Sequence, residues 1–251
     1  MKIGFIGAGN MASALARGLG EPALVADVDR GRAEALAAEI GGQVAESNAA
    51  AAQGSDAVIL CHKPAQLAAV ADEVRGDAKA VISILGGTTV AAIEEAYPDR
   101  PVYRFMPSIP VEVRQGVVCY APGTRAADGP EAEVRELFGR LGTLVELPES
   151  LIDPATAVMG CAPAFYSLVI EALVDAGVTH GLAPDVAATM AVESMAGTAT
   201  VLRQHGNDTR DLRRRVTSPG GMTARGLAAL ERGGVRAAFE DAVAAVVDGR
   251  R

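Results

Sequence analysis

Three small residues near the start of the chain have the spacing of a dinucleotide-binding turn. Gly7, Gly9 and Ala12 form the pattern G-x-G-x-x-A directly after the apolar run Ile3–Ile6. In this pattern the first glycine permits a tight turn, the second lets the backbone approach a pyrophosphate, and the third small residue allows close helix–strand packing. The N-terminus of the following helix also attracts negative charge. The pattern therefore predicts a phosphate-binding site rather than a merely glycine-rich turn.

An acidic residue stands where the second strand of such a fold ends. The Asp27 carboxylate is placed to accept hydrogen bonds from the ribose hydroxyls of adenosine and to repel a 2′-phosphate, which favours NADH. Arg30 and Arg32 follow closely and offer the opposite possibility, because guanidinium groups bind phosphate. A third interpretation is that Asp27 or Asp29 only caps the next helix. The cofactor is thus NADH or NADPH, and the sequence favours NADH.

A second anion site is predicted near the end of the chain, in the segment SPGGMT. Ser218 suits the N-cap of a helix and Pro219 suits its first position, where the missing N–H costs nothing. Gly220 and Gly221 then occupy the first turn without side chains, so an anion can approach the free backbone N–H groups. The hydroxyls of Ser218 and Thr223 stand beside that site. The segment predicts a carboxylate site; the alternative is an ordinary helix cap.

Strand-like and helix-like segments alternate over the first part of the chain. The intervening segments, such as 30–40 and 64–75, are rich in Ala, Leu, Glu and Arg. The apolar runs are Ile3–Ile6, Ala23–Ala26, Ala57–Cys61, Ala80–Leu85, Val102–Met106 and Val117–Tyr120. Such alternation predicts a doubly wound parallel sheet with helices on both faces. We expect an α/β fold: a Rossmann-type dinucleotide-binding domain over residues 1–148 and an all-helical domain over residues 149–251.

Composition narrows the class of protein further. The chain has 251 residues and a net charge of −8, which argues against nucleic acid or an anionic membrane surface as partner. Its three cysteines, Cys61, Cys119 and Cys161, are far apart and form no metal-ligand pattern, so we expect no metal and a reduced, cytoplasmic protein. No signal peptide or membrane span is expected. The helical part has more apolar surface than it can easily bury alone, which predicts a homodimer or a higher oligomer of dimers.

Five segments together resemble the pyrroline-5-carboxylate reductase family over nearly the whole chain. They are GFIGAGNMASAL, CHKPAQL, RFMPSIPVEVRQG, GCAPAFYSLVIEALVDAGVTHGL and SPGGMTARGLAALE. The resemblance implies reduction of 1-pyrroline-5-carboxylate, a cyclic imine carboxylate, to proline by hydride transfer from NADH or NADPH. It also implies a nucleotide-binding domain, a helical dimerisation domain, and an active site between the nucleotide domain and the helices of a partner subunit.

The resemblance implies roles for individual residues. Thr223 would contact the ring nitrogen or the carboxylate, and Ser218 would orient the carboxylate. The residues expected to bind substrate are Gly220, Gly221, Met222 and Ser108. The residues expected to bind cofactor are Gly7, Gly9, Asn10, Met11, Asp27, Lys63, Pro64, Met106 and Pro107. The last four of these would lie against the nicotinamide.

The chain departs from the family pattern at several places. Ser108 and Ile109 replace an Asn and a Thr, Met159 replaces a Ser, and Asp208-Thr209 replaces a His-Pro pair. These changes keep open a reductase of the same family that acts on another cyclic imine, and a non-catalytic nucleotide-binding relative. His62 follows a strand end and is a candidate proton donor, although a structural role is favoured. A β-hydroxyacid dehydrogenase is disfavoured, because the helical part contains no lysine.

Overall fold

The computed structural model describes residues 1–249 and contains two compact units, Met1–Pro163 and a second that begins at Ala164. The first unit is built on an eight-stranded sheet in the order β3-β2-β1-β4-β5-β6-β7-β8. Its strands are β1 (Ile3–Ile6), β2 (Leu24–Ala26), β3 (Gln43–Val44), β4 (Ala57–Leu60), β5 (Val81–Ser83), β6 (Val102–Pro107), β7 (Gly116–Pro122) and β8 (Gly142–Glu146). The α/β class expected from the sequence is confirmed.

Helices cover the sheet and continue beyond it. Those that follow the early strands are α1 (Asn10–Leu19), α2 (Arg30–Ile40), α3 (Asn48–Gln53), α4 (Leu67–Val74), α5 (Val90–Ala96), α6 (Glu131–Gly139) and α7 (Ile152–Ala155). The later helices are α8 (Ala162–Thr179), α9 (Pro184–Gln204), α10 (Thr209–Arg215), α11 (Met222–Arg232) and α12 (Val235–Asp248). Between α7 and α8 the segment Thr156–Gly160 forms a π-helical turn, closed by a bond from the Cys161 N–H to the Thr156 carbonyl.

The sheet is parallel except at one pair of strands. β6 and β7 are antiparallel, with Phe105 opposite Tyr120, whereas every other pairing in the sheet is parallel. Only a short turn, Ile109–Val113, and three further residues join these strands, too few for the crossover that a parallel pair needs. The sheet is therefore predominantly parallel, as expected, with one antiparallel pairing between β6 and β7.

Alanine and aliphatic residues fill the core, and a few aromatic rings complete it on one face. The Phe105 ring stacks on Phe138 with centroids 4.0 Å apart and on Tyr120 at 4.7 Å. Ala12 on α1 is 1% exposed, as expected where a helix packs closely on a strand. The helix ends at Gly20, whose left-handed φ of 66° suits a glycine C-cap. Local packing of this kind fixes the first turn of α1 at the end of β1.

The later helices leave apolar side chains uncovered in the single chain. Leu168 and Leu173 on α8 are 65% and 56% exposed, and Met190 on α9 is 57% exposed. By length and composition alone, the run Glu149–Thr179 is the one described stretch apolar enough to cross a membrane, with mean hydropathy 1.8. The exposed apolar side chains of α8 and α9 also fit a subunit interface. The absence of a membrane span stays a prediction.

Candidate functional site

The turn after β1 has the geometry that the glycine pattern predicts. Gly7 has φ of +105°, and a Cβ added there would lie 2.7 Å from the carbonyl carbon of Cys61. Gly9 is the N-cap of α1, and no atom beyond its neighbours in the chain lies within 4 Å of the position where its Cβ would stand. Asn10 and Met11 open the helix, where backbone N–H groups have no partner four residues earlier. The turn therefore presents bare backbone and a helix N-terminus to open space, which suits a pyrophosphate.

A cleft of about 460 Å³ lies in front of this turn. Among its lining residues are Gly7, Gly9, Asp27 and Lys63, all expected from the sequence to bind cofactor. Pro64 instead begins a short 3₁₀ turn, Pro64–Gln66, and borders a separate groove between α4 and α5. The structure thus brings together residues that follow β1, β2 and β4, three adjacent strands of the sheet. The bare glycine turn, the open space in front of it and the acidic residue Asp27 beside it together suit a dinucleotide.

The two aspartates after β2 have different roles. Asp29 is the N-cap of α2, and its Oδ1 accepts hydrogen bonds from the N–H groups of Gly31 at 3.0 Å and Arg32 at 3.3 Å. Asp27 does not cap the helix. Its Oδ2 accepts from the Ala8 N–H at 2.6 Å, and its Oδ1 accepts from the Asp29 N–H at 2.8 Å. Asp27 therefore holds the glycine turn against the end of β2.

His62 is half-buried at the edge of the same cleft. Its Nδ1 lies 2.9 Å from the Lys63 carbonyl, which only accepts, so this nitrogen carries the proton. Nε2 is buried and has no hydrogen-bond partner among the described residues. Burial, opposed by the bond to Lys63, lowers the pKa of His62, and burial also raises the pKa of the neighbouring Cys61 thiol. Both side chains are thus neutral near pH 7, which favours the structural role for His62.

The end of β6 carries Met106 and Pro107, the other residues expected near the nicotinamide, and both are buried. Ser108 is 3% exposed, and its hydroxyl donates to the Val117 carbonyl at 3.1 Å and accepts from the Val117 N–H at 2.9 Å. A contact between Ser108 and substrate stays a prediction, and it requires this hydroxyl to give up its hydrogen bonds to Val117 on β7. The serine otherwise ties the end of β6 to the start of β7.

A buried ion pair in this region was missed in the sequence. Arg104 on β6 is 3% exposed, and its Nη1 donates to the Glu149 carboxylate at 2.8 Å. Glu149 also accepts a very short hydrogen bond from the Val90 N–H, at the start of α5. One carboxylate therefore connects β6 with the start of α5. The signal was present, because Arg104 is a charged residue inside an apolar strand, but its partner lies 45 residues away.

The Ser-Pro-Gly-Gly segment differs from the expected helix start. Helix α11 begins at Met222 with Gly221 as N-cap, so the expectation of Ser218 at the N-cap and Pro219 at the first position is wrong. Gly220 has φ of +67°, which no α-helix accommodates. The Gly221 N–H donates to the Ser218 carbonyl at 3.0 Å and closes a tight turn with proline and glycine at its centre. The turn precedes the helix instead of forming its first residues.

This turn still leaves a helix N-terminus free of obstruction. The first intrahelical bond runs from the Arg225 N–H to the Gly221 carbonyl at 3.2 Å, so the amides of Met222, Thr223 and Ala224 have no partner four residues earlier. Side chains of Ser218 and Thr223 are exposed. A Cβ at Gly221 would collide with the Ser218 hydroxyl, so a side chain there would force the exposed serine to rotate. The available amides are thus one residue further along than expected, because the Gly221 amide closes the turn.

Known proteins match the chain over nearly its whole length. Residues 149–251 match the family described as pyrroline-5-carboxylate reductase dimerisation, and residues 2–87 match the family described as NADP oxidoreductase, coenzyme F420-dependent. A curated pyrroline-5-carboxylate reductase of Methanosarcina acetivorans is 36% identical to this chain, over 96% of the chain and 94% of its own length. The resemblance inferred from the motifs is confirmed.

Two solved structures have the same fold. The 1-pyrroline-5-carboxylate reductase of Streptococcus pyogenes matches with a TM-score of 0.91 and 28% identity, covering 100% of this chain and 98% of that one. The pyrroline carboxylate reductase of Plasmodium falciparum, solved with NADP bound, matches with a TM-score of 0.87 and 27% identity, covering 100% and 97%. Since the Methanosarcina acetivorans reductase is 36% identical over 96% of this chain, this chain belongs to the pyrroline-5-carboxylate reductase family.

Proposed function

We infer that the protein catalyses the NAD(P)H-dependent reduction of 1-pyrroline-5-carboxylate to proline. The observation that carries this function is the match to curated reductases of that name, which covers 96% of this chain and 94% of the Methanosarcina acetivorans relative. The enzyme is an oxidoreductase acting on a C=N bond, and its dimerisation domain makes it a homodimer. Association of dimers into larger oligomers and a cytoplasmic location stay predictions.

The cofactor cleft of the first unit supplies the binding half of the mechanism. Gly9 and the first amides of α1 would hold the pyrophosphate, and Asp27 the adenosine ribose. Lys63 lines the same cleft, and Pro64, Met106 and Pro107 are proposed to shape the nicotinamide end. When bound, the dihydronicotinamide supplies the hydride that reduces the C=N bond.

The start of α11 supplies the recognition of the carboxylate. The free amides of Met222 and Thr223 point out of a helix N-terminus, where an anion gains about 0.3–1 kcal/mol from the helix dipole. We assign the substrate carboxylate to these amides, with the Ser218 hydroxyl orienting it. Gly220 and Gly221 contribute by having no side chains, so that the anion reaches the backbone.

Thr223 is the residue proposed to control the ring. A protonated cyclic imine is already electrophilic at carbon, so its reduction depends on orientation more than on a strong acid. The exposed Thr223 hydroxyl, one position inside α11, is placed to donate to the carboxylate or to contact the ring nitrogen. Reduction of a protonated imine in this way requires no charged catalytic residue, in agreement with a neutral His62 in the cofactor cleft.

The function is tested by oxidation of NADH and NADPH in the presence of 1-pyrroline-5-carboxylate, with chromatographic detection of proline. We expect stoichiometric proline for each dinucleotide oxidised. A panel of other cyclic imines is the necessary comparison, because Ser108 and Ile109 depart from the family pattern. Faster reduction of a different imine would move the assignment to that substrate. Dinucleotide binding without oxidation of any imine would favour the non-catalytic relative.

A further inference from the structure

The carboxylate of Asp27 is fixed at the end of β2 by both of its oxygens. One accepts the Ala8 N–H of the glycine turn and the other accepts the Asp29 N–H. Rotation of the side chain away from the cleft would leave both N–H groups without this acceptor, which is unfavourable above all for the partly buried Ala8 N–H. The negative charge therefore stays in the wall of the cleft, at the place where the adenosine ribose of a dinucleotide binds.

The basic residues that follow do not neutralise this charge. The Arg30 guanidinium lies 2.9 Å from the Glu34 carboxylate, and the Arg32 guanidinium lies 3.4 Å from the Asp29 carboxylate. Each arginine thus already faces its own carboxylate, and Asp27 remains as the additional negative charge. Movement of Arg32 toward a ligand would expose the charge of Asp29, which lines the same cleft.

Another cation in the cleft lies further from the ribose position. Lys63 follows β4, and β1 separates β4 from β2 in the sheet, a distance of about 10 Å at the usual strand spacing. The charge of Lys63 therefore lies toward the middle of the cleft, away from the ribose position. Of the strands that line the cleft, β2 presents its end with two aspartates, Asp27 and Asp29.

We propose that Asp27 makes this enzyme selective for NADH over NADPH, a proposal that rests on the reductase function above. A ribose with two free hydroxyls offers donors that a carboxylate accepts. A 2′-phosphate offers only acceptor oxygens and carries up to two negative charges near pH 7, so it meets Asp27 with repulsion and without a hydrogen bond. The selectivity contrasts with the NADP bound to the Plasmodium relative.

Direct binding provides the first test, because it does not depend on turnover. The dimeric enzyme is titrated with NADH and with NADPH by isothermal calorimetry, and separately with ADP and with adenosine 2′,5′-bisphosphate. We expect a Kd for NADH at least about tenfold below that for NADPH, since like charges within a few ångströms repel by that much or more. The difference should shrink as salt is added, because salt screens the repulsion. Equal Kd values, or a lower one for NADPH, would overturn the proposal.

Substitution assigns the selectivity to one side chain. Asp27→Asn removes the charge and keeps one acceptor oxygen, so we expect the ratio of the two Kd values to fall by about tenfold. Asp72→Asn is the matched control, because Asp72 is exposed on α4 and pairs with Arg75 outside the cleft. An unchanged ratio in Asp27→Asn, or the same change in both variants, would contradict the proposal, and the wild-type titration decides the question even if Asp27→Asn does not fold.

The outcomes separate this inference from the function on which it rests. Proline formation with tighter binding of NADPH would overturn the selectivity and leave the reductase function intact. Failure to bind either dinucleotide would overturn both.

Discussion

The guanidinium of Arg104 donates to the carboxylate of Glu149 at 2.8 Å, across 45 residues of chain, with Arg104 almost fully buried. Because Glu149 also accepts from the Val90 N–H, this carboxylate holds together β6, which ends in Met106 and Pro107, and the start of α5. The pair therefore fixes the end of the sheet where we place the nicotinamide.

Glu149→Gln should destabilise the protein, because it leaves the buried charge of Arg104 with only the more distant Asp153 carboxylate, 3.9 Å away, as counter-ion. Glu149 is 34% exposed, so solvent screens part of the loss, and we expect a decrease of about 2 kcal/mol in the free energy of unfolding. Urea unfolding measures it. Asp99→Asn breaks the exposed pair with Arg125 and should change the same quantity by less than about 0.5 kcal/mol. Equal losses in the two variants would show that burial of Arg104 is not what matters.

The two glycines of the first turn should respond differently to substitution. Gly9→Val places its side chain in open space, so the protein should remain folded while its affinity for NADH falls by at least about tenfold. Gly7→Ala meets the Cys61 backbone and a positive φ, so its main effect should be on stability. Calorimetric binding and thermal unfolding distinguish the two effects. Unchanged NADH affinity in Gly9→Val would remove the pyrophosphate from this turn.

Thr223→Val removes one hydroxyl beside the free amides of α11. We expect kcat/KM for 1-pyrroline-5-carboxylate to fall by about 10- to 100-fold, since a hydrogen bond to a charged group contributes about 1.5–3 kcal/mol. The Kd for NADH should not change. Thr143→Val, at an exposed position of β8, is the control and should leave both quantities unaltered. Wild-type kinetics in Thr223→Val would exclude Thr223 from the site.

His62 should make the folded protein less stable in acid. Burial depresses the pKa of His62 in the folded state below the unfolded value of about 6.5, so the unfolded chain binds a proton more readily. This contribution is fully present above pH 6.5 and is lost as the pH falls through the depressed folded pKa. Free energies of unfolding from pH 7.5 to 5 should therefore decrease less steeply in His62→Gln. His205→Gln, at the exposed end of α9, is the control and should keep the wild-type dependence of unfolding free energy on pH. The same dependence in His62→Gln would show that His62 does not cause the loss of stability in acid.

The sequence predicted best what depends on local backbone geometry. The tight turn at Gly7, the open approach at Gly9 and the acidic strand end at Asp27 are each set by residues within one βα unit. The start of α11 was misplaced because Pro219 is compatible with both a helix and a tight turn, and the left-handed conformation of Gly220 decides between them.

Features that depend on partners far apart in the chain could not be predicted from the sequence. Strand β3 has two residues, and β8 is largely half-exposed, so neither gives an apolar run. The buried pairing of Arg104 with Glu149 and of Ser108 with Val117 comes from the antiparallel turn and the return of the chain after β8. Such contacts connect residues that no local pattern relates.

The most direct test of the account is the ratio of kcat/KM for 1-pyrroline-5-carboxylate to that for 1-pyrroline, measured with NADH. The ring and the reacting bond are the same in both substrates, so the ratio isolates recognition of the carboxylate. The account predicts a preference of about 100-fold or more for the carboxylated ring, the size expected for a charge held by several hydrogen bonds. A ratio near one, with both rings reduced, would contradict a carboxylate site at the start of α11.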